Sequence, residues 1–519
     1  MCFAKVINPQ LYEIELFVII YEINYRTAEF NPIIALLMGR EPIFNEKGAS
    51  ADAETPLLVP RAGIEPARIA PLVFETSAST DSAIWANRRI DLLVEECKGI
   101  GNFRNCKIFM AMVGTNMYIC EIIVEYMEHI DIFQGEVSVS RVVSGDGLSL
   151  KSDLGECLKS YKHIFVVADR HVVMKSRVVY DLVQEFMGKG IPVKVLDVSE
   201  TLKTMDTVLD ICSWLLEQGA DRDALVVAVG GGITTDMTGF AASIYKRGVK
   251  YANIPTTLLA QVDAAIGGKT GVNHEKYKNI LGVICQPEFT YLCPQVLESL
   301  PRRDFLSGAA EMLKTFIIED GGMYERAVAY MKKYAADAEE TLAKEQGELG
   351  ELIKAAGGVK AGVVSRDQFE KGERKVLNLG HTFAHAIETL AQKDVPEDDM
   401  PVLSLNKKEA KVTHGEAVSM GMVMASKLAD KLKESEGGIF KKLVGAFKPS
   451  EGGLAAKLEQ DFRECGMPVE CPYSITQMAE AMKKDKKAEG GKVHFIVPRE
   501  IGNVEIVDLK VDDVVELMK

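Results

Sequence analysis

Residues 225–236 read Leu-Val-Val-Ala-Val-Gly-Gly-Gly-Ile-Thr-Thr-Asp, and this stretch predicts the fold. The apolar run from Leu225 to Val229 predicts a buried strand, and helical spacing predicts a helix from Thr234 to Tyr245. Glycines between a strand and a helix N-terminus allow a pyrophosphate to reach the backbone N–H groups there. The stretch is not G-x-G-x-x-G, because Thr235 occupies the place of the last glycine. A tight turn without a ligand is the alternative interpretation.

Strands and helices alternate on both sides of this turn. Strands are predicted at 163–168, 192–198 and 251–259, and helices at 173–188 and 205–218. Such alternation predicts a parallel α/β sheet with ligands at the carboxyl ends of its strands. After Pro301, helical patterns dominate up to a last strand at 493–497. We therefore expect three regions: a poorly defined, partly disordered extension at 1–150, a nucleotide-binding α/β domain at 151–300, and a helical domain at 301–519.

The composition limits the class of protein. With 519 residues the chain is long enough for two or three domains, and its net charge of −14 argues against a general nucleic-acid or membrane-surface binder. No apolar stretch has the roughly 20 residues that a membrane span needs. Ten scattered cysteines favour a reducing compartment over a disulfide framework. Four glutamates within residues 13–29 argue against a transit peptide, so we expect a cytoplasmic protein, with a plastid as the alternative.

A second glycine-containing stretch lies between Val262 and Lys278. It contains the acid Asp263, the pair Gly267-Gly268 and Lys269, and Asn279 follows it. Glycines allow close approach of a ligand to the backbone, and lysines provide charges that bind phosphate. A polar loop with solvated lysines is the alternative interpretation.

Three histidines are found at two predicted helix starts. His381 and His385 stand one helical turn apart within 378–388, and His414 opens another apolar helix as His-Gly-Glu. Two histidines with one carboxylate form a typical catalytic metal site, and Glu311 is a candidate carboxylate, three residues before Lys314 on one predicted helix face. Structural histidines and an ordinary surface ion pair are the alternatives. A polar insertion at 394–411 precedes His414, and the basic run 483–487 resembles a solvated helix end.

These motifs together resemble the dehydroquinate synthase family, the sugar phosphate cyclases of the shikimate pathway. The resemblance extends from about His163 to Val507, and the motifs that carry it are 230–236, 247–248, 255–261, 263, 267–270, 278–279, 310–314, 378–388, 414–416 and 485–487. It implies a Rossmann-like NAD domain followed by an all-α metal-binding domain. It implies a lyase that converts 3-deoxy-D-arabino-heptulosonate 7-phosphate into 3-dehydroquinate and phosphate. The steps are oxidation by NAD, elimination of phosphate, reduction by NADH and an aldol cyclisation.

The resemblance also implies roles for individual residues and for partners. The metal, Zn²⁺ or Co²⁺, is expected on Glu311, His381 and His414. The phosphate binders are expected to be Lys269, Asn279, Lys486 and, from the second subunit of a homodimer, Arg247. Carboxylate and hydroxyl binders are Lys360, Arg374 and Asn378, and proton-handling or supporting groups are Asp263, Lys314 and His385. The NAD contacts are expected to be Asp169, Glu200, Lys203, Gly231, Gly232, Ile233, Asp236, Thr256, Thr257 and Lys278. Nucleic acid and membrane are not expected as partners.

The chain departs from the family pattern at three places. His171 stands where an asparagine is expected, Thr235 replaces a usual glycine, and the insertion before His414 is longer than expected. Sister cyclases that make an amino-dehydroquinate, a valiolone or an inosose are the nearest alternative, but Arg374, Asn378 and His385 favour the dehydroquinate reaction. A metal-dependent alcohol or glycerol dehydrogenase would not need Lys269, Arg374 and Lys486. A non-catalytic NAD-binding remnant is disfavoured by the intact metal and phosphate residues.

Overall fold

The computed structural model describes residues 129–275, 277–393, 412–440, 453–485 and 492–519, together with four strands before residue 127. The chain divides into two units, Met1–Glu128 and His129–Lys519. In the first unit an antiparallel sheet has the order β1-β3-β4-β2, with β1 Phe17–Ile23, β2 Leu72–Phe74, β3 Phe103–Val113 and β4 Asn116–Tyr126. The expected disorder of the N-terminal extension, the insertion at 394–411 and Lys486 lie outside the described residues.

A seven-stranded sheet forms the centre of the second unit. Its strands are β5 His129–Gln134, β6 Val137–Ser144, β7 Ile164–Asp169, β8 Val193–Leu196, β9 Leu225–Gly230, β10 Lys250–Pro255 and β13 Phe289–Leu292, in the order β5-β6-β13-β10-β9-β7-β8. Only β5 is antiparallel to its neighbour; the other five pairings are parallel. Since β7 is followed by β8 on one side and by β9 on the other, the strand order reverses beside β7, which is where ligands bind in such sheets.

Two hairpins and fourteen described helices complete the second unit. The hairpins pair β11 Lys269–His274 with β12 Tyr277–Ile284, and β14 Val493–Glu500 with β15 Asn503–Leu509. In the first half the helices are α1 Asp153–Leu158, α2 Arg170–Lys175, α3 Arg177–Gly188, α4 Met205–Glu217 and α5 Gly232–Ile244. In the second half they are α6 Arg302–Glu319, α7 Gly321–Ala336, α8 Ala338–Lys344, α9 Gln346–Arg366, α10 His381–Lys393, α11 His414–Phe440, α12 Gly453–Glu464, α13 Ile475–Asp485 and α14 Val511–Met518.

The predicted fold class is confirmed: a parallel α/β sheet precedes a mainly helical part. Two details differ from the expectations. The strand expected to reach residue 259 ends at Pro255, because residues 260–264 form a short helical turn. Strands β5 and β6 join the sheet before residue 151, where the α/β domain was expected to start. The division of the chain into three regions stays a prediction.

The sheet is held by apolar side chains on its faces. All six residues of β9 are buried, as expected for a central parallel strand covered on both sides. On one side Phe165 and Val167 of β7 pack in a cluster with Val208, Ile211 and Leu215 of α4. Within the described residues no helix is long and apolar enough to cross a membrane.

Substitution of Leu215 tests this packing, because its neighbour Leu216 provides a matched control. Leu215 is 0% exposed and Leu216 is 66% exposed. Leu215→Ala should lower the free energy of unfolding by about 2–5 kcal/mol, since it removes buried methyl groups and leaves a cavity. Leu216→Ala should change it by less than about 0.5 kcal/mol. Urea denaturation followed by circular dichroism measures both, and equal midpoints for the two variants would contradict the packing.

Candidate active site

Three side chains from three helices meet at one point. Glu311 lies in the middle of α6, whereas His381 and His414 are the first residues of α10 and α11. One ligand atom from each lies within 4.8 Å of the other two, and Nε2 of His414 and of His381 are 3.1 and 3.6 Å from Glu311 Oε1. Two imidazoles and one carboxylate with open positions suit a catalytic divalent metal. The structure thus brings the three predicted metal ligands together.

The start of α11 is fixed by the residues around His414. Thr413 and Glu416 form a capping box: Glu416 Oε2 accepts the Thr413 N–H at 2.7 Å, and Thr413 Oγ1 accepts the Glu416 N–H at 3.3 Å. Arg303 of α6 binds both oxygens of Glu416 at 2.8 Å. A Cβ on Gly415 would stand 2.3 Å from Ser307 Cα, so only glycine lets α11 approach α6 here. The sequence His-Gly-Glu therefore places one ligand and fixes its helix.

The second ring nitrogen, Nδ1, of each of the two histidines also has a partner. Nδ1 of His381 lies 3.1 Å from the Leu379 carbonyl oxygen, which accepts only from an N–H, so Nε2 carries the lone pair. Nδ1 of His414 lies 3.5 Å from Glu388 Oε1, and Lys278 Nζ lies 3.7 Å from the same oxygen. Such outer partners orient metal-binding histidines and raise their basicity. No role was predicted for Glu388 from the sequence.

Charges at this point shift the pKa values of the ligands in opposite directions. Burial would lower the pKa of His414, but its interactions with the carboxylates of Glu311 and Glu388 outweigh burial and raise the pKa to about 10. Burial lowers the pKa of His381 to about 3, and the charge of Glu311 only partly opposes it. Burial would raise the pKa of Glu311, but Lys314 and the two histidines hold it well below its ordinary value. Without a metal, His414 is therefore the histidine in its charged form, and a metal must displace its extra proton.

Glu311 itself has the donor chemistry that a metal requires. It is 0% exposed, and neither carboxylate oxygen has a hydrogen bond of normal geometry among the described residues. Its charge is balanced by contacts with Lys314 Nζ and His414. A buried carboxylate without full hydrogen bonding is costly unless a cation neutralises it. A buried carboxylate whose oxygens lack full hydrogen bonding fits a divalent metal.

Next to the ligands, Asp263 lies between two buried lysines. Lys360 binds its carboxylate and also its backbone oxygen, and Lys314 Nζ lies 3.9 Å from Oδ2. Burial would raise the pKa of Asp263, but the two lysines lower it, so the carboxylate stays ionised. Burial lowers the pKa of Lys360 to about 8, and its ion pair with Asp263 only partly opposes this. Lys360 can therefore hold or release a proton near neutral pH.

A second cluster gathers the predicted anion binders. Gly267 has φ +100°, and its carbonyl accepts from Nη2 of Arg374 at 3.0 Å. Arg374 is 1% exposed, and its Nε–H has no partner among the described residues. The carboxylate of Glu370 accepts from Lys269 Nζ at 2.5 Å and from Asn378 Nδ2 at 2.9 Å. Glu370, for which the sequence predicted no role, thus brings Lys269 and Asn378 together at one carboxylate.

The carboxyl ends of β7, β9 and β10 carry the predicted nucleotide contacts. Helix α5 begins after Gly231 without a side-chain cap, and its first intrahelical bond is from Thr235 N–H to Gly231 O at 3.1 Å. The N–H groups before Thr235 are thus available to an anion. Thr256 Oγ1 is buried without a hydrogen-bond partner in the described part of the chain. An orphaned hydroxyl beside an uncapped helix N-terminus fits a dinucleotide.

Four further predicted contacts form one network. Lys203 Nζ donates to Asp236 Oδ2 at 2.6 Å and to Asn279 Oδ1 at 2.5 Å. Burial raises the pKa of Asp236 to about 6, although Lys203 opposes it. Asn273, which no sequence motif singled out, joins Glu200 to this network through a side-chain bond of 2.8 Å. Asn279, expected at the phosphate, thus lies beside the predicted NAD contacts.

Four further predicted site residues lie outside these two clusters of contacts or take part in local ones. Arg247 follows α5, is exposed with φ +70°, and makes no ion pair with any residue in the described part of the chain. Asp169 caps α2 by accepting the His171 N–H at 2.9 Å, so one of its oxygens is already used locally. Thr257 Oγ1 likewise accepts the Ala260 N–H at 3.2 Å. His385 faces His381 with ring centroids 5.7 Å apart.

Family models match both halves of this arrangement. Residues 193–307 match the 3-dehydroquinate synthase N-terminal model, and residues 308–488 match the 3-dehydroquinate synthase C-terminal model. The chain belongs to the 3-dehydroquinate synthase family. The family predicted from the motifs is confirmed, and so is its activity, that of a carbon–oxygen lyase that eliminates phosphate.

Individual relatives agree with this membership. The 3-dehydroquinate synthase of Acidithiobacillus ferrooxidans is 39% identical over 316 residues, which are 60% of this chain and 76% of the relative. That of Pyrococcus abyssi is 35% identical over 362 residues, 70% of this chain and 94% of the relative. A structure of 2-epi-5-epi-valiolone synthase from Streptomyces hygroscopicus, with NAD⁺ and Zn²⁺ bound, covers 74% of this chain and 96% of its own at 28% identity and a TM-score of 0.58.

A more distant structure shares the fold. A 2-deoxy-scyllo-inosose synthase complexed with carbaglucose-6-phosphate, NAD⁺ and Co²⁺ is 21% identical, has a TM-score of 0.57, and covers 75% of this chain and 99% of its own. The neighbours thus hold NAD and a divalent metal, and this chain has a three-residue site that can bind one. The roles of the single residues stay predictions.

Metal affinity should rise with pH in this dehydroquinate synthase family member. In the metal-free chain the pKa of His414 is about 10, so below that pH the metal must displace its proton. The affinity for Zn²⁺ should therefore increase about tenfold per pH unit between about pH 6 and 8. Competition with a chromophoric chelator at several pH values measures this slope. His163→Gln, at a surface pair with Asp221, should leave the slope unchanged, and a pH-independent wild-type affinity would contradict the geometry.

Proposed function

We propose that the residues of this site carry out the conversion of 3-deoxy-D-arabino-heptulosonate 7-phosphate into 3-dehydroquinate and phosphate. The observation that carries the proposal is that Glu311, His381 and His414 lie beside the ion pairs of Asp263. The cluster of Glu311, His381 and His414 thus provides a metal site. Asp263 and its two lysines provide charged groups beside that site that can exchange protons.

Glu311, His381 and His414 would hold the metal, which we take to be Zn²⁺ or Co²⁺ as in the neighbouring structures. As a Lewis acid, the metal would lower the pKa of a substrate hydroxyl that is to be oxidised. Leu379 and Glu388 would orient the two imidazoles from behind. Lys314 neutralises Glu311 and keeps its carboxylate ionised for the metal.

NAD would bind across the carboxyl ends of β7, β9 and β10 and supply the hydride acceptor, which the reaction regenerates. The uncapped N-terminus of α5, with Gly231, Gly232 and Ile233, suits its pyrophosphate. The remaining proposed contacts are Lys278 on the β11–β12 hairpin and, around this edge of the sheet, Asp169, Glu200, Lys203, Asp236, Thr256 and Thr257.

The substrate carries two anionic groups, and the chain provides basic residues for both. Arg374 offers a planar fork whose Nε–H is unpartnered among the described residues, which suits the carboxylate. Asn378 would bind a hydroxyl, and Lys269 would bind phosphate with Asn279 and Lys486. Lys269 and Asn378 already bind the carboxylate of Glu370, so an incoming anion must take its place.

Proton transfer falls to groups whose charges are set by burial. Asp263 stays ionised and can accept a hydrogen bond from a substrate hydroxyl. Lys360, with a pKa of about 8, can exchange a proton close to the working pH. His385, which lies beside His381, is the third proposed proton-handling group. The protein thereby positions the substrate and stabilises its charges while the substrate's own phosphate can carry protons.

The proposed homodimer rests on two features of the chain's surface. Arg247 is exposed and makes no ion pair within the described part of its own chain, so it is available to a second subunit's phosphate site. Strand β12 is exposed along its length and presents Tyr277 and Ile280. An exposed apolar strand with one unpaired edge favours association. We further propose that the protein acts in the cytoplasm.

A sister cyclase that makes a valiolone is the second candidate, because one neighbouring structure has that activity. The curated relatives named 3-dehydroquinate synthase are more similar, at 33–39% identity against 28% for that structure. Arg374, Asn378 and His385 are all present, and they suit a substrate with a carboxylate. We therefore place the dehydroquinate reaction first.

Phosphate release tests the proposal directly. The metal-loaded chain with heptulosonate 7-phosphate and NAD should release phosphate without net NADH, and a chelator should stop it. Glu311→Gln should lower kcat/KM more than about a hundredfold, because it removes a metal ligand. Glu319→Gln, at the exposed end of the same helix, should keep wild-type activity. Build-up of NADH without phosphate would indicate a dehydrogenase, and release only from a heptulose lacking the carboxylate would indicate the sister cyclase.

Subunit mixing tests whether Arg247 acts across a dimer. Arg247→Ala and Lys269→Ala should each be nearly inactive alone. After the two chains are unfolded and refolded together, half of the dimers are hybrids with one intact site, so activity should recover to about a quarter of wild type. Mixing two Lys269→Ala preparations is the control. No recovery in a confirmed hybrid would place Arg247 outside a shared site.

A further inference from the structure

Asn273 occupies an irregular position in the hairpin of β11 and β12. The register of the hairpin shifts between Val272 and His274, so Asn273 lies at a bulge. Bulges redirect a side chain away from the regular strand pattern. The strand before the bulge starts at Lys269, and Lys278 and Asn279 lie on the strand after it. The hairpin thus carries proposed phosphate and cofactor contacts on either side of Asn273.

The side chain of Asn273 uses both ends of its carboxamide. Its Oδ1 accepts the backbone N–H of Asn279 at 2.9 Å. Its Nδ2 donates to Glu200 Oε1 at 2.8 Å and to the Glu200 carbonyl at 3.3 Å. Its backbone N–H donates to the Lys203 carbonyl at 2.9 Å. One residue therefore joins the hairpin to the loop that follows β8.

The contact with Asn279 controls an unusual backbone conformation. Asn279 has φ +53°, which is rare for a residue with a side chain, and the bond from its N–H to Asn273 Oδ1 supports it. In this conformation its Oδ1 accepts from Lys203, which also binds Asp236. A closed set of hydrogen bonds thus links Glu200, Lys203 and Asp236 to Asn279.

We propose that Asn273 is a positioning residue that couples the cofactor site to the phosphate site. The roles of Glu200, Lys203, Asp236 and Asn279 in this coupling rest on the proposed function. The side chain of Asn273 bonds to both Glu200 and Asn279. A ligand that orders one of these two residues therefore lowers the conformational cost of ordering the other. Binding of NAD and binding of phosphate are therefore mutually favourable, and the coupling must be reciprocal.

The coupling is measured on the metal-loaded full chain with inorganic phosphate as the probe. The Kd of NAD is determined by calorimetry without phosphate and with saturating phosphate. In the wild type, phosphate should tighten NAD binding about fivefold or more. In Asn273→Ala the ratio of the two Kd values should fall close to one. Asn503→Ala, an exposed residue on the β14–β15 hairpin, is the matched control and should keep the wild-type ratio.

A pair of substitutions that moves the negative charge from residue 200 to residue 273 distinguishes loss of coupling from loss of folding. Asn273→Asp keeps the acceptor for the Asn279 N–H but places a carboxylate against Glu200, so it should weaken NAD binding about tenfold and abolish the coupling. In a Glu200→Gln background the introduced amide can donate to the introduced carboxylate. There the Asn273→Asp change should cost less than about threefold, and the coupling ratio should return.

The proposal is overturned if wild-type NAD binding does not respond to phosphate, or if Asn273→Asp keeps the wild-type ratio. It is also overturned if Asn273→Asp costs the same with Glu200 present or replaced, because a purely structural role would give that result. Phosphate release by the wild type is measured in parallel. A wild type that releases phosphate but shows no coupling refutes only this inference, whereas a wild type that releases none refutes the proposed function.

Discussion

The site depends on the charge of one buried carboxylate. Glu311 of α6 is fully buried, and an unpaired charge there would destabilise the fold by several kcal/mol. Lys314 on the same helix and His414 from α11 neutralise it, and Lys314 in turn approaches Asp263. The helices are held against each other by the same contacts that set the pKa values. The packing of the helices and the pKa values of the site thus depend on the same ion pairs, because a charge that is excluded from water needs partners within the protein.

Local placement of cations explains how an acidic chain can bind an anionic substrate. The chain has a net charge of −14, yet Lys269 and Asn378 bind the carboxylate of Glu370, and the nearby charge of Arg374 helps to lower the pKa of that carboxylate. The left-handed backbone of Gly267 brings a carbonyl to the guanidinium of Arg374 and helps to fix it. Anion binding is thus a property of a few positioned groups, and the average charge of the surface does not decide it.

The cofactor half and the substrate half of the site are connected through the β11–β12 hairpin. Lys278 on this hairpin reaches Glu388, which supports His414, and Asn279 reaches Lys203. Hydrogen bonds and ion pairs therefore connect the nucleotide end of the sheet to the groups around the candidate metal site. This arrangement suits a reaction in which a hydride leaves the substrate and later returns, because cofactor and substrate must stay aligned in between.

The sequence alone determined the alternating α/β pattern and predicted the three residues that can hold a metal. Strand and helix periods are local properties of the sequence. Glu311, His381 and His414 lie in motifs for which the family resemblance implies metal binding. The supporting residues Glu388, Glu370 and Asn273 could not be assigned in this way. Each contacts a residue far along the chain, as in the pairs of Asn273 with Glu200 and of Glu370 with Lys269, which are 73 and 101 positions apart. Only the tertiary structure decides such pairs, because burial and long-range packing bring distant charges together and then fix which of them hold protons.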